Sequence, residues 1–437
     1  MPQSGTLAAL SGVPFVMVLG NSMLIPVLPA MAGALGLSAL HVSLVVTLFS
    51  VPAGLAIPLA GFLSDRVGRK AVIVPGLLLY GLGGLLAGLA AALHFRETFA
   101  AVLAGRILQG IGAAGTAPLA MALAGDLFGG RARSRALGII EAANGFGKVL
   151  SPVLGAALGS CTWFAPFFLF PVLCVLAAGA VGRAVPEPGS RRTPPSLGRY
   201  KHMLRQVFAR KVPLLASGFA AGMASLLLLF GVLFYLSEHL EKAYGLEGVA
   251  KGLALAVPVL FMCGTSFLSG LVARKQVARM KLMVVVGLLI TAAGLSGLAW
   301  VRHTWLYFAV ISLIGIGTGL VLPCINTLVT GAARTSERGL ITALYGSVRF
   351  FGVAAGPPLF GLLLERSPTT LFLLAGAGAG QDAPAGDELE IGHRPVELLF
   401  PVAALLLGGF DGGDPPRDPP PHLLRVALQR LAVAVLQ

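Results

Sequence analysis

Eleven apolar stretches, each about 20 residues or longer, dominate this 437-residue chain: roughly 7–31, 42–63, 71–93, 99–124, 137–160, 162–183, 212–236, 249–273, 281–300, 304–330 and 340–364. A helix needs about 20 apolar residues to cross the hydrocarbon core of a bilayer. No water reaches that core, so a spanning segment must pair its backbone groups within a helix or a closed barrel. Barrel strands alternate apolar and polar residues. These stretches are continuously apolar, which leaves an all-α integral membrane protein. Charged residues make up 11% of the chain, against about 25% in soluble domains, and the mean hydropathy is +0.86. A cytosolic enzyme, a disordered chain and a nucleic-acid binder are thereby excluded. The first stretch begins almost at Met1 without a basic leader, so it reads as a span and not as a cleaved signal.

The connecting loops are short and electrically lopsided. Loops after the second, fourth, sixth, eighth and tenth stretches carry 20 Lys and Arg, whereas the opposite loops carry 5, namely Arg96, Lys242, Lys251, Arg302 and Arg366. Cytoplasmic loops collect Lys and Arg. The net charge of +14 therefore reads as topology: a multi-pass protein of the inner (plasma) membrane, with its N-terminus and the basic segment 184–211 cytoplasmic. Cys161, Cys174, Cys263 and Cys324 lie in apolar stretches without metal-ligand spacing and read as small core residues. No metal site and no cofactor is expected.

Shifted by 205 residues, the chain overlays on itself. Gly110 and Gly112 fall on Gly315 and Gly317, Pro118 on Pro323, Arg133 on Arg338, Gly147 on Gly352 and Pro152 on Pro357. At a nearby offset, GFLSDRVGRK (61–70) faces a degraded counterpart, GLVARKQVARMK (270–281). Such a repeat predicts two pseudo-symmetric six-helix bundles, residues 1–183 and 212–380, joined by the segment 184–211 and rocking about a site near the midplane. The twelfth helix is doubtful. It is due at about 369–390, but the sequence there passes from TTLFLLAGAGAG into QDAPAGDELEIGHRPVE, and 375–437 holds 8 of the 18 acidic residues and 8 of the 29 prolines. The tail 381–437 reads as a shifted frame of a GC-rich gene or as a diverged terminus.

Three motifs carry more than hydropathy. The loop between the second and third spans reads Gly61-Phe-Leu-Ser-Asp65-Arg66-Val-Gly68-Arg69-Lys70; the fourth span holds Arg106-Ile-Leu-Gln109-Gly110-Ile-Gly112; the fifth holds Gly147-Lys-Val-Leu-Ser151-Pro152-Val-Leu-Gly155. Glycines permit a tight turn and close helix approach. Asp65 is suited to cap a helix N-terminus, and Arg66, Arg69 and Lys70 offer partners for carboxylates. Small residues four apart on the fifth span make a flat packing face, with Pro152 as a bend. Together these motifs resemble the major facilitator superfamily, and specifically its drug/proton antiporter branch with twelve spans. Ser151 stands where that branch usually has a second glycine. The resemblance implies that Gly61, Asp65, Arg66, Gly68, Arg69 and Lys70 form a cytoplasmic clasp between the halves, with Asp65 near the eleventh span and Arg69 near Asp126. It also implies that Gly147, Ser151, Pro152 and Gly155 form a gating helix.

Ionisable residues inside a bilayer are costly and mark functional paths. Arg106, Glu141, Lys148 and Arg349 lie within apolar stretches. Glu141, Asn144 and Lys148 share one helical face, and Asn144 and Arg349 coincide in the 205-residue repeat. Arg106 cannot release a proton, so it would bias a carboxylate or hold an anion. Glu141, with Arg106 and Asp126, is the candidate proton-coupling set. Asn21, Gln109, Asn144, Lys148 and Arg349 are the candidate substrate-cavity residues. The expected function is proton-coupled export of small organic molecules, multidrug or metabolite, by alternating access. Three cations facing one acid lean toward anionic cargo, such as an acidic metabolite or siderophore. The alternatives are such a dedicated exporter or a transport-inactive membrane protein with an aberrant C-terminus. No nucleophile set or metal-protease motif points to an enzyme. The expected partners are a small-molecule substrate, protons and the lipid bilayer, with the chain acting as a monomer and binding no nucleic acid.

Overall fold

The first apolar stretch is broken by its own prolines. Pro26 and Pro29 carry no N–H, so the carbonyls of Ser22 and Ile25 have no donor one helical turn on. The chain accordingly forms α1 (Pro2–Ser22), a 3-10 turn (Ile25–Val27) and α2 (Leu28–Leu35). In this computed structural model, residues 2–187, 197–273, 276–298, 300–301, 304–331 and 338–366 are described. Within them α3 (Ala39–Val67), α4 (Lys70–Ala92), α5 (Thr98–Ala114), α6 (Ala117–Leu127), α7 (Gly130–Gly159) and α8 (Ala165–Ala184) complete the first half. The second half comprises α9 (Leu197–Tyr244), α10 (Gly248–Ala273), α11 (Val277–Leu298), α12 (Thr304–Gly331) and α13 (Arg338–Arg366). α9 starts inside the basic segment and runs unbroken into the seventh span. The expected twelfth helix and the tail 381–437 lie outside the described residues, as do Arg191, Arg192, Arg274, Lys275, Arg302 and Arg334.

Ten of the described spans are long and apolar enough to cross a bilayer. α7 is the span-length helix that falls outside that set, because it carries the polar stripe and a basic first turn. Within the first half α4 packs on α5 and α8, α3 on α5, and α1 on α7 and α8; within the second, α12 packs on α10 and α11, and α9 on α13. The halves meet through α3 against α13 and α7 against α10.

The internal repeat reappears as equivalent backbone contacts. A Cβ on Gly110 would strike the Phe49 carbonyl of α3, and a Cβ on Gly315 the Pro258 carbonyl of α10. Gly112 lies against Gly76 and Tyr80 of α4 as Gly317 lies against Gly287 and Thr291 of α11. Gly147 packs on Phe15 of α1, and Gly352 on Met223 of α9. Small residues let helix backbones approach this closely in lipid, where packing rather than water drives association.

Two local expectations are corrected. Cys161 is exposed, because it occupies the turn between α7 and α8 and not a span; Cys174 and Cys324 are buried. Lys251, read from the sequence as a loop cation, belongs to the start of α10, is 3% exposed and pairs with Glu241 at 2.6 Å.

Candidate functional site

Arg106 is wholly enclosed, at 0% exposure, and ties three helices together. Its Nε donates to Val45 O of α3 at 2.8 Å, and one terminal nitrogen donates to Gly20 O of α1 at 3.0 Å and to Gln109 Oε1 at 2.8 Å. The other reaches Asn21 Oδ1 at 3.3 Å, and the guanidinium lies 4.3 Å from the Phe49 ring centre. Asn21 Nδ2 continues the network to Ser50 Oγ at 3.5 Å. Every one of these acceptors is neutral. The rigid five-donor fork suits this task, and a bare carbonyl at a proline-broken helix end suits an immovable cation. Arg106, Asn21 and Gln109 thus form one cluster. Glu141 is not part of it, and among the described ion pairs Glu141 is paired with neither Arg106 nor Lys148.

Glu141 sits on α7 and accepts from Asn144 Nδ2 at 3.0 Å. The direction of this stripe follows from its neighbours. Gly147, Ser151 and Gly155 face α1: Gly147 touches Phe15, Ser151 Oγ donates to Leu19 O at 3.3 Å, and Gly155 lies over the Met23 carbonyl. Gly145, Pro152 and Ala156 face α10: the Cys263 thiol donates to Gly145 O at 3.6 Å, and Gly252 packs on Pro152 O and Ala156. At 3.6 residues per turn, Glu141, Asn144 and Lys148 fall between those two faces and look into the seam between α1 and α10. Phe146 and Ile139, both exposed, occupy the opposite side of α7. The small-residue face of the fifth-span motif therefore packs within its own half, and of the motif's Gly147, Ser151, Pro152 and Gly155 it is Pro152 that meets the other half, beside Gly145 and Ala156.

Arg349 lies on α13 at the position equivalent to Asn144. Its guanidinium stands 5.6 Å from the Tyr345 ring centre, and its buried Nε has no hydrogen-bond partner among the described residues. The structure does not bring Arg349 into the Arg106 cluster. A recess of about 330 Å³ indents the molecule between the halves on the side away from the basic loops, lined by Leu28, Pro29, Val42, Phe234, Glu238 and Glu241, among others. None of Asn21, Gln109, Asn144, Lys148 and Arg349 lines it. Its wall is mainly Leu, Pro, Ala and Gly, which carry no signal in a membrane sequence.

The loop after α3 is a dense ionic joint. Arg69 Nε donates to Asp126 Oδ2 at 2.6 Å, and Arg69 lies 3.6 Å from Asp65. Gly68 has φ +103, a conformation L side chains rarely adopt. Gly61 is different: it is helical, and a Cβ there would meet nothing within 4 Å, so the close approach expected of it is absent. Glu187 is a residue that sequence reasoning missed. Its carboxylate accepts from the N–H groups of Arg69 and Lys70 at 2.8 Å each, capping α4, while Lys70 Nζ donates to Gly182 O and Val185 O at the end of α8. A Cβ on Gly68 would press on that carboxylate. A lone glutamate in a polar segment gives no warning of this role.

Comparison with known proteins follows the same lines. The sequence profile of the Major Facilitator Superfamily matches residues 10–377. The bacillibactin exporter of Bacillus subtilis (strain 168) is 43% identical over 369 residues, spanning 84% of this chain and 92% of that protein. The multidrug efflux protein YfmO of the same organism is 29% identical, over 80% of this chain and 83% of its own. Among solved structures, a bacterial homolog of the human lysosomal transporter Spinster, inward-facing and unoccupied, superposes with a TM-score of 0.69 at 18% identity, covering 93% of each chain. That last likeness speaks for the fold alone.

Proposed function

Because the chain belongs to the Major Facilitator Superfamily, whose members are membrane transport proteins, we propose that it exports small organic molecules in exchange for protons, by alternating access between its two halves. The observation that carries export is the 43% identity across 92% of the bacillibactin exporter. In this reading the basic loops and the N-terminus face the cytoplasm. Glu141 takes and releases the coupling proton. Arg106 holds the bend of α1 through Gly20 and Asn21 and reaches α3 through Val45, so that α1 moves with α3 and α5, and Asp126 acts through Arg69. Asn21, Gln109, Asn144, Lys148 and Arg349 contact cargo during the cycle. The loop Gly61–Lys70, with Asp65 and Arg69 at its centre, clasps the halves while the cytoplasmic side is closed. In the gating helix α7, Gly147, Ser151 and Gly155 couple to α1 while Pro152 carries the motion to α10.

The second reading narrows the cargo to one anionic metabolite or siderophore. Lys148 and Arg349 favour it, since both lie on the helices that meet the other half. Inverted vesicles with an imposed pH gradient test direction and coupling, with bacillibactin as the first cargo. Gradient-driven uptake into the vesicles is expected, and uptake indifferent to the gradient rejects proton coupling. A growth-inhibition panel in a susceptible strain separates broad from dedicated export. Asp65→Asn should cut transport sharply at near-normal expression; unchanged transport removes the clasp.

A further inference from the structure

Hydroxyls within membrane helices usually return a hydrogen bond to their own helix, and here Ser225, Thr291, Ser312 and Thr318 each donate to the carbonyl one turn back. Among the hydroxyl bonds of the described residues, those of Ser237 and Thr47 instead cross between the halves. Ser237 Oγ of α9, 1% exposed, donates to Ile25 O at 2.8 Å. Thr47 Oγ1 of α3 stands 3.4 Å from its own-helix Ser43 O but donates at 2.8 Å to Ala354 O of α13.

Both acceptors share one property. Ile25 O would bond the N–H of residue 29, and Ala354 O that of residue 358; both positions are proline and have no N–H. The third such case lies within one half, where Ser266 and Ser269 donate to Gly319 O, freed by Pro323. Ile25 O keeps one 3-10 bond, from the Leu28 N–H, in place of the helical bond that Pro29 cannot give. A buried carbonyl with acceptor capacity left open is costly, so each of these acceptors is a fixed, directional socket for a hydroxyl. Thr47 lies in the part of α3 nearer Ala39, and Ser237 near the end of α9 at Tyr244. Both bonds therefore act toward the membrane face away from the basic loops. Between them Gly252 packs on Pro152, and Ser22, Ile25, Leu233, Leu255 and Val259 close the seam with Pro152.

We infer that Ser237 and Thr47 are paired latches that hold this face shut, each on a carbonyl kept open by a proline, and that both bonds break when the face opens to release cargo. The inference rests on the alternating-access reading. No charge is involved, so the latches release without a proton and leave coupling to other residues.

The test places a reporter, Val259→Cys, in a background with the four native cysteines replaced. It measures labelling by a membrane-impermeant maleimide in intact cells and in inverted vesicles. Loss of one buried hydrogen bond shifts a two-state equilibrium by about threefold to tenfold. Ser237→Ala should raise the labelling rate from the face away from the basic loops by that factor, and Ser237→Thr should keep the parent rate. The diagnostic arm is Pro29→Ala, which returns an N–H to Ile25 O: in that background Ser237→Ala should add less than about twofold. Thr47→Val with Pro358→Ala makes the same comparison on the other latch, should Ser237→Ala not accumulate. Labelling unmoved by Ser237→Ala, or moved equally with and without Pro29, overturns the proposal. Export is measured in the same cells. Export without any latch effect rejects the latch, whereas a latch effect without export rejects the transport reading and keeps the latch.

Discussion

Arg106 shows how far a single residue can be read. A cation in the middle of an apolar stretch announces itself, but the sequence grouped Arg106 with Glu141 and Asp126, whereas the structure sets it against Asn21 and Gln109. Its partners do not announce themselves, because Val45 O and Gly20 O are backbone atoms with no side-chain signature. The expected carboxylate partner is therefore replaced by neutral acceptors. Lysine keeps the charge but loses the planar fork, and it cannot serve acceptors on α1, α3 and α5 together. Arg106→Lys should cost about 2 kcal/mol of stability, seen as a lower unfolding temperature in detergent, with export falling in step; an unchanged unfolding temperature would show that the clamp is dispensable. Glu141 makes the complementary case. It bonds Asn144 and no cation in the described ion pairs, so a static ion pair does not explain its presence. Glu141→Gln keeps size and hydrogen bonding while removing the titratable proton. Export should then lose its dependence on the pH gradient, and a persisting dependence moves the proton site elsewhere, with Asp126 next in line.

Whole elements were legible from hydropathy wherever they are uniformly apolar, as for α3, α4 and α8. Their ends were less so. The 3-10 turn in the first span follows from Pro26 and Pro29 only once one asks which carbonyls those prolines orphan. The start of α10 gathers Lys251 into the interior because Glu241 on the neighbouring helix reaches it, a pairing across a turn that a residue count assigns to the loop. The joint at α4 is the clearest example. Glycine at position 68, Glu187 and Lys70 are far apart in sequence significance, yet together they fasten the end of α8 to the start of α4. An anionic N-cap is worth roughly 1 kcal/mol. Glu187→Ala should lower thermal stability by about that much and weaken export through a loosened Arg69, while Glu187→Asp shortens the reach and should fall between. Identical unfolding temperatures for all three proteins would mean that Glu187 does not carry the cap in solution.

At the scale of the whole molecule, the 205-residue repeat in glycines foretold the pseudo-symmetric contacts, because glycine is retained where two backbones touch and both halves touch alike. What the repeat did not foretell is where the halves meet. That depends on α7 packing on α10 and α3 on α13, contacts made by small residues, the rings of Phe49, Phe350 and Phe351, the Thr47 hydroxyl and the Cys263 thiol. The α7–α10 contact offers a direct test of relative motion. A Cβ built on Gly145 lies 3.8 Å from Cys263 Sγ, close to the separation a disulfide needs after a rotamer change. Gly145→Cys in a background lacking Cys161, Cys174 and Cys324 should therefore form a bridge to Cys263 on oxidation. Rocking of the halves must separate or rotate α7 against α10, so the bridged protein should lose more than about nine-tenths of its export, and reduction should restore it. Bridged protein that exports at the reduced rate would mean that this seam stays fixed throughout the cycle, and that access alternates by movement along α3 and α13 alone.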